Sequence, residues 1–266
     1  MADVLEVAQS LKLEVKERDL ESCDGLLIRP KGVPRGFIVV NTNIRSEARK
    51  RFTIAHEIGH FVLPGHEGAI CGQSDIEGWG GKRGERERQA DEFAAELLIP
   101  SSILGARIAS ATPSLALIES IAMECSASLS ASGWKYCDLT YERCAIVWST
   151  EGKVIWSKPS SEFQFYVRKG KQVEKGTYAY DCFRGEVIPA QVEPVPAHLW
   201  LESENLRDGA VIWEESRALL NYGSVLTLLW IRQRIDKYSD YDEIEEEMER
   251  SYDPLDFTVY RKRWPS

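Results

Sequence analysis

The stretch "TIAHEIGHFVLPGH", residues 53–66, holds three of the four histidines in the chain. The segment around it, "SEARKRFTIAHEIGHFVL" (46–63), predicts a single amphipathic helix. Ser46 suits the N-cap and Glu47 the positive end of the helix dipole. Phe52, Ala55, Ile58, Gly59 and Val62 recur at helical spacing, and Pro64-Gly65 stops the run. Residues four apart on a helix share a face, with Cβ atoms about 5–6 Å from each other, so His56 and His60 present two imidazoles to one point. A Zn²⁺ ion takes imidazole nitrogens at about 2.0–2.1 Å, a span such a pair can meet. Glu57 is rotated by about 100° from His56 and flanks that point, where a general base takes a proton from water activated by the metal. Every fixed letter of H-E-x-x-H therefore has a mechanical reason.

A catalytic zinc site takes a third protein ligand and keeps one position open. Two candidates compete. His66 stands six residues after His60, as in H-E-x-x-H-x-x-G-x-x-H, but that motif needs glycine three residues after the second histidine, where this chain has Leu63. On that reading His66 is a surface loop histidine near the cleft. The other candidate is Glu87 in "ERERQADEFAAELLIP" (85–100), a second helix ended at Pro100. Asp91, four residues on, shares its face and is placed to accept the free N–H of a ligating histidine. Glu85 is the fallback ligand. Ala90, Phe93, Ala94, Leu97 and Leu98 make the packing face, and the two alanines admit close approach of the zinc helix.

Around this pair the chain predicts a mixture of helices and strands. A short helix at 3–11 precedes strands at 11–17, 23–30 and 35–43; the glycine-rich stretch 68–84 is a loop. Residues 113–140 form two short helices about a Ser-rich turn, "CAIVWSTEGKVIWSKP" (144–159) is a hairpin turned at Glu151-Gly152, and further strands fall at 177–183, 210–216 and 224–231. Most of the aromatic residues after position 144 belong to the core, and the acidic segment 240–253 is a helix or solvated tail. At 266 residues the chain has room for one large or two modest domains, with a boundary near 105–112.

Charge and cysteine usage limit the partners. The net charge of −9 argues against bulk affinity for nucleic acid or anionic membrane. The four charges in 113–140, Glu119, Glu124, Lys135 and Asp138, sum to −2, the wrong sign for gripping phosphates, so this helix pair reads as a packing module. No direct nucleic-acid binding and no membrane association are expected. The longest apolar run, 225–231, is too short to span a bilayer. Six scattered cysteines without a CxxC pair, and no signal-like start, read as reduced thiols in a cytoplasmic protein, Cys71 being an inert one. The strand "GFIVVNT" (36–42) is a candidate to hold an extended substrate by strand addition.

"RKRFTIAHEIGHFVLPGH", followed by "ERERQADEFAAELLIP", resembles the ImmA/IrrE family of bacterial zinc metallopeptidases, and "CDGLLIRP" with "GFIVVNTN" resembles that family's small sheet. The resemblance covers residues 3–104. It implies an α+β fold: a minimal zincin-like domain (1–110), a helix-turn-helix-like linker (111–141), and an α/β C-terminal regulatory or recognition domain (142–266). It implies His56, His60 and Glu87 as zinc ligands, Glu57 as base, and helix-turn-helix repressors of phage, mobile-element or stress-response genes as substrates. The rival expectation is a zinc-containing binding module that senses or sequesters a repressor without cutting it. Glu57 separates the two, because a structural zinc site has no use for a base beside an open position.

Overall fold

The computed structural model describes residues 3–21, 23–30, 35–66, 82–188, 192–219 and 222–232. Among them the chain is α+β, with seven α-helices and two sheets. The first sheet joins β1 (Leu13–Arg18), β2 (Gly25–Ile28) and β3 (Gly36–Asn41) in the order β1-β3-β2, with β1 parallel and β2 antiparallel to β3. Helix α1 (Val4–Ser10) leads into it, capped by Asp3, whose carboxylate accepts the Leu5 amide at 2.9 Å.

β3 is thus the central strand, paired on both edges, and no place remains on it for an added substrate strand. This corrects the expectation for residues 36–42. Ile38 and Val40 are sealed in the core and Val39 is buried too. A strand buried on both faces reads as a continuous apolar run, which "FIVV" is. Among the described residues, the unpaired edge of this sheet beside the zinc-helix candidate belongs to β2.

Helix α2 (Glu47–Val62) covers the sheet, and α3 (Lys82–Leu98) packs along α2. Ser46 caps α2 by accepting the Arg49 amide, and the chain turns extended at Leu63. The two helices pack closely through Gly59: a Cβ there would sit 3.3 Å from the Ala90 backbone and 3.2 Å from the Phe93 ring. α3 begins at Lys82, so the last three residues of the expected 68–84 loop are helical, while residues 67–81, including Cys71, lie outside those described.

Helix α4 (Ser101–Ala109), which the sequence pattern did not disclose, follows directly on α3 from a Pro100 N-cap. Helices α5 (Leu115–Cys125) and α6 (Leu129–Leu139) come next, each opened by a serine: Ser114 accepts the Leu117 amide at 3.2 Å, and Ser128 accepts that of Ala131 at 3.1 Å. Their faces Leu115, Ile118, Ile121 and Cys125, and Ser132, Gly133, Tyr136 and Cys137, are buried.

The second sheet is antiparallel throughout, β5-β4-β8-β7-β6, formed by β4 (Cys144–Thr150), β5 (Lys153–Pro159), β6 (Glu193–Pro196), β7 (Val211–Leu219) and β8 (Ser224–Trp230). β4 and β5 form the expected hairpin, with Glu151 and Gly152 at φ +52° and +73°, the left-handed pair that a tight two-residue turn requires. Side chains alternate between two cores. Cys144, Ile146, Leu226 and Leu228 belong to the core cluster that also takes in α5, α6 and the first sheet, whereas Ala145, Val147, Val225 and Leu229 belong to a second cluster around Trp200 and Ile212. Trp200 is fully buried; Trp148, Trp156 and Trp230 are half-buried against the first core. No helix among the described residues is long and apolar enough to cross a membrane. Residues 240–253 lie outside those described.

Segment 177–183, expected as a strand, is instead helix α7 (Tyr178–Arg184). Its alternating aromatics imitate a strand, but its ends are those of a helix: Thr177 accepts the Tyr180 amide at 3.2 Å, and Gly185 closes it at φ +69°. Glu214 of β7 holds the start of this helix. Buried at 1% exposure, its Oε1 accepts the Ala179 amide at 2.7 Å and the Ser216 hydroxyl at 2.8 Å, and its Oε2 accepts the Trp200 indole at 2.9 Å. Every partner is a donor, so an amide in its place turns an NH₂ toward another N–H or O–H. Glu214→Gln is expected to lower stability by about 1–3 kcal/mol, read as a fall of several degrees in the thermal midpoint.

Candidate metal centre

Four side chains named from the sequence meet where α2 crosses α3. His56 Nε2 lies 3.0 Å from His60 Nε2, and the two Glu87 oxygens lie 3.2 Å from His56 Nε2 and 3.4 Å from His60 Nε2. One ligand atom from each of the three lies within 4.8 Å of the others. The His60 side chain is completely enclosed, that of His56 is 14% exposed and that of Glu87 29% exposed, so the cluster opens toward solvent on the Glu87 side. On the far side of His56, Asp91 Oδ1 stands 2.8 Å from Nδ1.

The hydrogen positions follow from chemistry. An Asp91 carboxylate only accepts, so His56 carries its proton on Nδ1 and offers a lone pair from Nε2. A carboxylate and an imidazole lone pair facing one another at 3.2 Å call for a positive charge between them. The contacts with His56, then with His60, hold the Glu87 carboxyl well below the usual carboxylate range, against the opposing effect of burial. Two imidazoles and a carboxylate are the donor set of a three-ligand metal site with an open position, and the residues present fit a divalent ion.

Glu57 sits on α2 between the two histidines in sequence and is not one of the three converging ligands. It is 2% exposed and packs against the start of β2: a Cβ added at Gly25 would fall 3.1 Å from Glu57 Oε1 and 2.4 Å from Thr53 Cγ2. Glycine at position 25 therefore lets the edge strand lie directly on the carboxylate. Gly25→Ala is expected to push β2 off α2, costing about 1–3 kcal/mol of stability. A thermal denaturation series comparing Gly25→Ala with an alanine at the open Gly105, where nothing lies within 4 Å, measures the difference.

Neither alternative third ligand reaches the convergence point. Glu85 points to Arg88, 2.6 Å away, and to Gln89. His66 is buried at 2% exposure rather than lying on the surface as expected: Gly65, at φ +80°, turns the chain back so that His66 Nδ1 meets His60 Nδ1 at 2.9 Å, behind the ligand nitrogen. Gln89, which no sequence motif marked, accepts from His66 with its Oε1 at 3.0 Å. Arg29, also unremarked, donates to the His60 carbonyl and lies 4.5 Å over the Phe61 ring, tying the end of β2 to the C-terminal turn of α2.

Comparison with known proteins bears on the same region. The profile of the peptidase M78 family, described as the IrrE N-terminal-like domain, matches residues 8–131. Metallopeptidase ImmA of Bacillus subtilis (strain 168) is 28% identical over 104 residues, which make up 38% of this chain and 57% of that relative. This chain thus spans little more than half of the relative's length. A solved structure, the Mycobacterium tuberculosis transcriptional regulator, is similar with a TM-score of 0.47 at 12% identity, covering 85% of this chain and 68% of the other.

Proposed function

We propose that this chain, whose residues 8–131 match the peptidase profile described as the IrrE N-terminal-like domain, is a cytoplasmic zinc-dependent endopeptidase of the ImmA/IrrE family whose substrate is a regulatory protein, a helix-turn-helix repressor. The observation that supports this reading is the convergence of His56, His60 and Glu87, with Glu57, the residue after His56 on α2, buried at 2% exposure. His56, His60 and Glu87 hold the zinc ion, and Asp91 orients His56 through Nδ1. Bound there, the ion supplies Lewis acidity, lowering the pKa of water and polarising a peptide carbonyl.

The chain's own residues do the rest. Glu57 accepts the proton of the attacking water and returns it to the leaving amine. Its enclosure between α2 and β2 keeps the carboxylate dry and fixed, so the proton moves over a defined path. The free edge of β2 receives the extended substrate. Asn41 donates to the Asp24 carbonyl at 2.8 Å, and the alternation of an antiparallel ladder then turns the Gly25 and Leu27 backbone groups away from β3. A substrate strand paired there runs alongside Glu57. The C-terminal sheet is the recognition or regulatory part. It touches the helical segment directly, through Glu215 accepting the Leu115 amide at 2.7 Å and through the Arg217–Glu119 pair.

The test is to incubate zinc-loaded protein with the repressor encoded beside its gene and to read the products by mass spectrometry. One discrete cut, absent with a chelator, is the expected result. An intact repressor bound stoichiometrically would instead establish a non-cleaving zinc module.

A further inference from the structure

We infer that Glu85, Gln89 and His66 form a directed hydrogen-bond relay that fixes the proton of His60 on Nδ1, leaving its Nε2 lone pair facing the metal point. The inference rests on the metal-site reading above and extends it to residues that do not touch the ion.

The direction of each link is set by the one outside it. Glu85 is a carboxylate doubly paired with Arg88, Oε1 to Nη2 at 2.6 Å and Oε2 to Nε at 3.1 Å, and it can only accept. Gln89 Nε2 lies 3.0 Å from Glu85 Oε1, so the amide nitrogen faces Glu85 and the amide oxygen faces His66. Gln89 Oε1, 3.0 Å from His66 Nε2, can only accept, so His66 carries its proton there. His66 Nδ1 is then a lone pair, and at 2.9 Å from His60 Nδ1 it accepts the His60 proton. Reversing the Gln89 amide would break its bond to Glu85, reverse the two links beyond it and place a proton on His60 Nε2, between the two imidazoles, where the ion belongs.

His66 uses both ring nitrogens in this chain and is 2% exposed, so little solvent competes for either. His56 and His60 are thereby oriented from the same helix by different routes. Asp91 reaches His56 directly, whereas Glu85 reaches His60 through two intermediaries. Gln89 and His66 are positioning residues. Gln89 also ties α3 to the turn that follows α2, which explains why a helix-stopping Pro64-Gly65 pair is followed at once by a buried histidine.

Two variants at Gln89, a half-buried position on α3, separate polarity from packing. Gln89→Glu loses the bond to Glu85 but can only accept from His66, and so preserves the direction of the His66 and His60 links. Gln89→Lys can only donate and inverts it. In metal-free, ¹⁵N-labelled protein at mildly alkaline pH, two-bond ¹H–¹⁵N correlations over the four histidines report which nitrogen of each ring is protonated. The expected pattern is Nδ1–H on His60 and Nε2–H on His66, kept in Gln89→Glu and exchanged in Gln89→Lys. Zinc affinity, read by competition with a chromophoric chelator, should fall about 10–100-fold in Gln89→Lys and stay near wild type in Gln89→Glu. Nε2–H on His60 in the wild-type protein, or equal loss of affinity in both variants, overturns the inference. If the wild-type chain binds no zinc, the metal reading falls, yet the ring protonation pattern still decides the relay in either direction.

Discussion

Glu57→Gln is expected to retain zinc and lose proteolysis by about 10²–10⁴-fold, the range that a positioned general base contributes. The substitution keeps the shape of the side chain and removes its ability to take a proton. Because Glu57 is 2% exposed and packs on Gly25, the near-isosteric amide fills the same space, so the fold should be retained. Zinc retention follows from geometry, since the three converging ligand atoms come from His56, His60 and Glu87. Kinetics of repressor cleavage, normalised to bound zinc, supply the check. Wild-type rates in Glu57→Gln would leave the base unassigned.

Glu87→Ala has the opposite signature: zinc is lost, and activity goes with it. Removing the carboxylate leaves two imidazoles whose Nε2 atoms face each other at 3.0 Å with no anion to share their cation. The loss of affinity should exceed the roughly 10–100-fold that an outer hydrogen-bond partner costs. In the wild-type protein, zinc at 100 times its dissociation constant should raise stability by about 2.7 kcal/mol through mass action alone. The thermal midpoint of Glu87→Ala should not respond to the same concentration. Retained zinc in Glu87→Ala, with loss in His66→Ala, would transfer the third ligand to His66 and undo the assignment.

What the sequence disclosed, and what it hid, follows physical lines. Helix α2 was legible because its signals are local: a serine cap, a helical apolar repeat and a Pro-Gly stop lie within twenty residues. Glu87 and Asp91 were legible as an i, i+4 pair, and the structure sets them on opposite nitrogens of His56. His66 was not, because its burial depends on a left-handed turn at Gly65 and on Gln89 of another helix, contacts that no periodicity encodes. The central place of β3 was consistent with its unbroken apolar run, but which strands pair on its two edges is set by contacts distant in sequence that the run does not encode. Helix α7 was misread because Tyr178 and Tyr180 alternate like a strand. Its Thr177 and Gly185 ends were the truer sign. Helix α4 escaped because Pro100, a helix stop, also serves as the start of the next helix and offers no side-chain cap to announce it.

The reach of Glu214 and Glu215 illustrates the same limit. Adjacent on β7, they point to opposite faces, one to the amide of Ala179 and the other to the amide of Leu115, one hundred residues upstream. A single strand thereby anchors a helix in each core. From sequence these two acids were indistinguishable from solvated charges.

The most direct measurement is zinc K-edge X-ray absorption on the loaded wild-type protein. Two imidazoles and a carboxylate with one position left to solvent predict a four-coordinate shell of nitrogen and oxygen at about 2.0–2.2 Å, with imidazole outer-shell scattering for two rings. A sulfur shell near 2.3 Å, or a spectrum with scattering from one ring or none, would contradict a site built from His56, His60 and Glu87.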